Sequence, residues 1–302
     1  MVVAAVMGFS RFASAQTDGA QTPAANPGRP TVSTPATLTP VGYLQFETGV
    51  VEARDSGDLA AQFSVNEVAK LAVHRRAQLL FQFEAYAHSR EAASGTEQSI
   101  GGTVGGLQFV VVDGAGTRPT LSASYLHAIS DGSAPDLDIG SSRQSAIVLF
   151  SADLRKPKLH IDTNGIFNEQ IDDDRSRAQY GQTFCVSRAF SAVTIAAEIW
   201  HFTQPFEDAS AAGLLWAISF APRPNLVFDA GFNRGLTDTS TRWEFFAGFT
   251  YLLPHALWRQ PATSASSQRG GSSARNRSIA LPISAGELAT YSSPERTSSP
   301  RR

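Results

Sequence analysis

A hydroxyl beside a histidine could act as a nucleophile and its base, and Ser124 and His127 come nearest to that arrangement. In an extended chain, however, a three-residue spacing puts them on opposite faces. His201 follows Trp200 near a strand end with no nucleophile at a workable spacing. Cys185 is the single cysteine, which excludes an intramolecular disulfide framework and a multi-cysteine metal site. It alternates with Thr183 and Ser187 and reads as inert filling, since no helix terminus or adjacent base would activate the thiol. The run Asp172-Asp173-Asp174 lacks the spaced ligands and glycine of a calcium loop. No phosphate loop or dinucleotide fingerprint is present. These residues predict a chain that is not an enzyme, with no catalytic residues, bound metal or cofactor.

The polar residues that do share a pattern are of another kind. Glu47, Lys70, Gln82, Glu84, Asp162, Asn164, Glu198, Asp229, Asn233 and Glu244 fall on the polar side of alternating stretches, together with Asn66, Gln78 and His160. An ion stripped of water costs several kcal/mol unless it is paired, so a common face for these groups implies a hydrated or internally bonded space. Two readings follow. An unpaired carboxylate excess would line a lumen favouring cations or polar neutral solutes. Alternatively, the carboxylates pair with Lys70 and arginines and nearly close the space.

Elements of period two must position such residues. In 42–50, Leu44, Phe46, Thr48 and Val50 oppose Tyr43, Gln45 and Glu47. In 77–88, Leu79, Phe81, Phe83 and Ala85 oppose Gln78, Gln82, Glu84 and His88. The stretches 158–168, 225–234 and 243–253 alternate as clearly. Noisier runs cover 60–73, 100–112, 119–130, 144–152, 179–188, 193–203 and 212–221. About twelve strands result, each near the ~10 residues that cross a bilayer as tilted β-structure. Their links alternate: tight at 74–76, 154–158, 189–192 and 222–225, moderate at 113–119. They are long at 51–58, 89–99, 131–143, 170–178, 204–211 and 235–242.

This pattern predicts an all-β fold, a transmembrane antiparallel up-and-down barrel of about 12 strands, closed because lipid tolerates no unpaired edge. Its apolar side chains would face out, with Trp200, Trp216, Trp243, Tyr43, Tyr86, Tyr125 and Tyr251 as interfacial girdles.

Composition agrees with that reading. Of 302 residues, 17% are charged, below the roughly 25% of ordinary soluble domains. No apolar run approaches the ~18 residues of a membrane helix. A net charge of −2 argues against nucleic acid as a partner. Residues 1–15 end in Ala13-Ser14-Ala15 and resemble a signal peptide cut short at its start. Residues 16–40 read as a Pro/Thr-rich extended linker, 41–253 as the barrel, and 254–302 as a disordered, basic Ser/Arg-rich tail.

Three stretches carry a family likeness: the Pro-rich entry into GYLQFETGV, the hairpin NEVAKLAVHRRAQLLFQFE (66–84), and PRPNLVFDAGFNRGLTDTSTRWEFFAGFTYLL (222–253). Over roughly 40–253 the chain resembles bacterial outer-membrane β-barrel transporter proteins, relatives of channels associated with aromatic-compound and phenol degradation. The D-x-G-x-N-x-G-L-T-D hairpin at 229–238 is the most specific part. The resemblance implies a porin-like channel in a Gram-negative-type outer membrane, with periplasmic termini. Small-molecule solutes, apolar or aromatic ones among them, would pass through it passively or by facilitated transport. Outer-membrane lipid and the barrel-assembly machinery would be its partners. Family members commonly end on a terminal aromatic residue, whereas this chain continues past Leu253. The alternative is a non-transporting structural or assembly barrel of the envelope. Substrate and oligomeric state are not readable from these residues.

Overall fold

A computed structural model describes residues 23–57, 59–91, 95–135, 137, 139–140, 142–172 and 175–258. The leader-like stretch, Asp173, Asp174 and the tail from Arg259 onward lie outside the described residues. The strands are β1 (Leu44–Ser56), β2 (Leu59–His74), β3 (Ala77–Glu91), β4 (Thr96–Ser99), β5 (Thr103–Val112), β6 (Thr120–Ser130) and β7 (Gln144–Leu154). They continue with β8 (Leu159–Asp172), β9 (Arg175–Phe190), β10 (Val193–Gln204), β11 (Ala209–Arg223), β12 (Leu226–Gly235) and β13 (Trp243–Leu252).

β4 and β5 both pair with β3; otherwise each strand pairs antiparallel with its chain neighbour, and β1 also pairs with β13, so the sheet closes. The barrel has twelve staves, not thirteen, because β4 and β5 are one strand with an interruption. Arg90 pairs with Thr96 and Phe83 with Thr103 in the same register along β3. Between them, Gly101 donates its N–H to the Glu84 carbonyl and Glu84 donates to the Gly102 carbonyl.

Period-two geometry sends alternate side chains in and out, and the polar set goes in. Gln45, Glu47, Lys70, Gln78, Gln108, Asn164, Gln179, Glu198 and Asp229 are buried, whereas Phe46, Phe81, Phe184, Ile199, Trp216 and Phe228 are exposed on the outer wall. In water such a belt would be a strongly unfavourable apolar surface; in hydrocarbon it is the side that belongs outside. The chain is a transmembrane β-barrel.

Three local expectations need correction. Trp200 does not sit in an outer girdle: it is 2% exposed, turned inward, and packs with Phe202 and Ala211. Trp216 and Tyr125 do face out, but near the middle of their strands. Several polar stretches read as long loops are strand. β1 runs on to Ser56, β8 and β9 meet almost directly, and only 205–208 separate β10 from β11. Beyond the bilayer both faces of a hairpin are wet, so apolar alternation is lost while pairing continues.

Candidate functional site: the occluded lumen

A barrel of this strand number leaves an interior that side chains alone do not fill. Residues 23–40 occupy it. They form no strand, consistent with an extended segment, but they lie inside the barrel rather than in solution. Ala25 donates to the carbonyl of Pro224, in the β11–β12 turn. From there the chain crosses the lumen and circles the wall before returning to β1, with Gly42 donating to Ala72. Asn26 closes the circuit on itself, its Nδ2 donating to the Thr37 carbonyl at 2.8 Å.

Wall side chains replace the missing ladder partners of this irregular backbone, the condition under which such backbone survives at membrane depth. Glu47 on β1 accepts the Gly28 N–H at 3.1 Å, Gln45 Nε2 at 2.8 Å and the Lys70 ammonium at 2.5 Å. Glu198 on β10 accepts the backbone N–H groups of Val32 and Ser33, both at 2.7 Å, and the Ser33 hydroxyl. Asn164 on β8 grips both sides of Thr34, accepting its N–H at 2.6 Å and donating to its carbonyl at 2.9 Å. Ala36 donates to Ser151 Oγ and accepts from Ser122. Gln108 donates to the Pro35 carbonyl, and Thr39 donates to Gln78.

Arg29 occupies a place made for it. Gly49 and Gly248 pair across the β1–β13 seam and both face inward. The guanidinium of Arg29 lies against their backbones, where a Cβ on Gly49 would collide with it. From there it pairs with Asp229 at 3.4 Å. Val32 is the apolar anchor, packed between the Cys185–Ala196–Leu215–Ala217 cluster and the Trp200–Phe202–Ala211 cluster.

The sequence-selected residues thus divide by role. Glu47, Asn164, Glu198 and Asp229 hold the segment directly, while Lys70 acts through Glu47. Asp162 acts one step removed: it accepts from Ser151 at 2.5 Å and pairs with His160, which also bonds Asp153 at 2.7 Å. Gln82 lines a cavity of about 90 Å³ left between the segment and the wall, beside Leu80, Leu126 and Leu149. Asn233 and Glu244 belong to the long-loop half, where Asn233 accepts from Trp200 Nε1 at 2.9 Å and donates to Glu244 at 2.6 Å. Glu84 stands apart at the β4–β5 interruption. Ser124 is buried inside and His127 is exposed outside, so they form no pair.

The long-loop half is filled by inturned loops. Gln170 and Gln179 both donate to the Ile139 carbonyl, at 2.8 and 2.9 Å, and Ile139 packs on the Trp200 cluster. Thr239 and Thr241 donate to the Ser210 carbonyl and to Ser56 Oγ. The wall residues missed from sequence, Gln45, Gln108, Ser122, Ser151 and Thr183, share the inward parity of those chosen. Arg29, Ser33 and Thr34 gave no periodic signal. Their trace in the sequence is the carboxylate surplus of the wall, which required donors from elsewhere.

No family model matches the chain, and no curated protein sequence matches it. Among solved structures, it is similar to an outer membrane channel from Pseudomonas putida F1, with a TM-score of 0.50 at 13% identity over 79% of this chain and 100% of that one. The NanC porin gives a TM-score of 0.48 at 11% identity over 68% of this chain and 100% of that one. The CymD monoaromatic hydrocarbon channel gives 0.39 at 10% identity over 70% and 87%. The first of these likenesses, together with the closed twelve-stave sheet and its inverted polarity, makes the chain an outer-membrane-type β-barrel by fold.

Proposed function

We propose that the protein is a channel for passive or facilitated passage of small molecules across a Gram-negative-type outer membrane, held shut here by its own residues 23–40. The carrying observation is how that segment is fixed: side-chain hydrogen bonds and one apolar anchor hold it, with no strand ladder. Water or a polar solute can replace such bonds one by one. Both the segment and β13 leave the wall at the short-turn end, which in this reading faces the periplasm. The barrel-assembly machinery then meets β13 during insertion. Lys70 and Arg29 compensate two of the inward carboxylates, Glu47 and Asp229, while Glu198 is held by neutral donors. The aliphatic wall at Leu80, Leu126, Ile147 and Leu149 favours solutes with an apolar or aromatic body.

Planar-bilayer conductance and liposome swelling test this. The intact protein should conduct rarely and weakly, and deletion of residues 24–37 should open a steady pore. The lumen is filled from both ends, which favours a second reading, a non-transporting structural barrel. A folded deletion variant that stays impermeable would establish that reading instead.

A further inference from the structure

The five short links share a feature that neither the plug nor solute passage uses. Arg75 and Arg76 form the β2–β3 turn, Arg118 lies on the β5–β6 link, and Arg155, Lys156 and Lys158 lie on the β7–β8 link. All six are exposed. Three consecutive hairpins therefore present one basic sector, and Arg155 reaches across to within 3.0 Å of the Cβ position at Gly116 on the neighbouring link. The collar continues at Arg188 and Arg223, near the two remaining turns. Asp113 is the one carboxylate on these links, and Arg118 binds its backbone carbonyl rather than its side chain; Asp153, at the end of β7, is bonded to His160.

Among the described residues, none of these bases forms an ion pair. At the opposite end two of the bases are neutralised, Arg54 by Glu52 and Arg175 by Asp172 at 2.7 and 2.6 Å, while Arg177 and Arg234 bond backbone carbonyls. The collar also borders the apolar belt directly. Phe109, Val111, Val112, Leu154, Phe190 and Phe220 are exposed beside it, and the Arg188 guanidinium lies 4.9 Å from the Phe190 ring centroid. Long basic side chains at that level lay their stems on apolar surface and their heads among lipid phosphates.

We propose that this collar is a binding surface for anionic phospholipid headgroups in the leaflet that meets the short turns. The proposal rests on the fold and is independent of solute transport. Continuity with the belt selects lipid over a soluble acidic partner, because the bases surround the barrel at the depth where headgroups lie.

The test uses the full chain in phosphatidylcholine vesicles containing phosphatidylglycerol, with spin-labelled forms of each lipid reporting the boundary layer. Phosphatidylglycerol should be enriched about threefold or more at low salt and approach parity near 1 M salt, where the Debye length is about 3 Å. The variant R75S/R76S/R155S/K156S should lose most of the enrichment. Should that variant fold poorly, the salt series on the unaltered protein decides alone. Equal boundary composition at low and high salt overturns the proposal. So does absence of lipid preference combined with tight binding of soluble polyglutamate, which would point to an acidic macromolecule instead.

Discussion

Glu198 is buried against a segment that offers it two N–H groups and a hydroxyl. Hydrogen bonds to a charged group contribute roughly 1.5–3 kcal/mol, and a buried donor left without an acceptor is costly. Glu198→Ala should therefore loosen residues 32–33 while sparing the barrel, whose ladders do not involve that side chain. The expected outcome is a rise of about tenfold or more in channel-opening frequency, with the unfolding midpoint little changed. An opening frequency equal to that of the parent would show that the grip at Glu198 does not hold the lumen shut. Gly49 tests a second hold on the segment, the seat of Arg29 beside Asp229. A methyl there meets the end of a flexible arginine rather than backbone, so Gly49→Ala should shift Arg29 off Asp229 without breaking the seam. Its effect on opening should be largely absent in an Arg29→Ala background, because both changes remove one interaction. Fully additive effects in that double-mutant cycle would separate the two residues.

The strands show how far alternation can be read. Where the wall is inside the bilayer, one face is apolar and the other polar, and the inward set from Glu47 to Glu244 is legible by parity. Trp200 was legible too: it stands two residues from Glu198 and must share its inward face, which its place near a strand end, the ground for a girdle, does not override. The outer hairpin ends were not legible, because Glu52, Arg54, Asp172 and Arg175 lie on paired strands with water on both sides. The lipid-facing assignment has its own test. Ile199 sits mid-strand on β10, exposed between Phe184 on β9 and Leu214 on β11. Arginine at a lipid-facing position near the midplane costs about 2–4 kcal/mol. Ile199→Arg should lower folding stability in vesicles by that amount, measured by denaturant titration. A cost under ~0.5 kcal/mol would mean that this face does not meet hydrocarbon.

For the molecule as a whole, the decisive question is whether the segment moves, and the sequence could not pose it. Residues 23–40 have the composition of a linker, yet their backbone is satisfied by the wall rather than by neighbours in the chain; composition reports the second kind of partner only. The Ser33 and Thr183 hydroxyls are 2.8 Å apart, which makes the two positions the natural site for a cysteine pair, whose disulfide requires Cβ atoms ~3.8 Å apart. Cys185 lies two residues from Thr183 on the same face, so the experiment belongs in a Cys185→Ser background. If the segment leaves the lumen to admit solute, oxidised S33C/T183C should conduct as little as a closed barrel, and reductant should restore openings to the level of the background protein. If solute instead uses the cavity beside Gln82 while the segment stays in place, oxidation should leave conductance unchanged. The disulfide thus distinguishes a gate that withdraws from a fixed constriction, and either result assigns the path to one half of the wall.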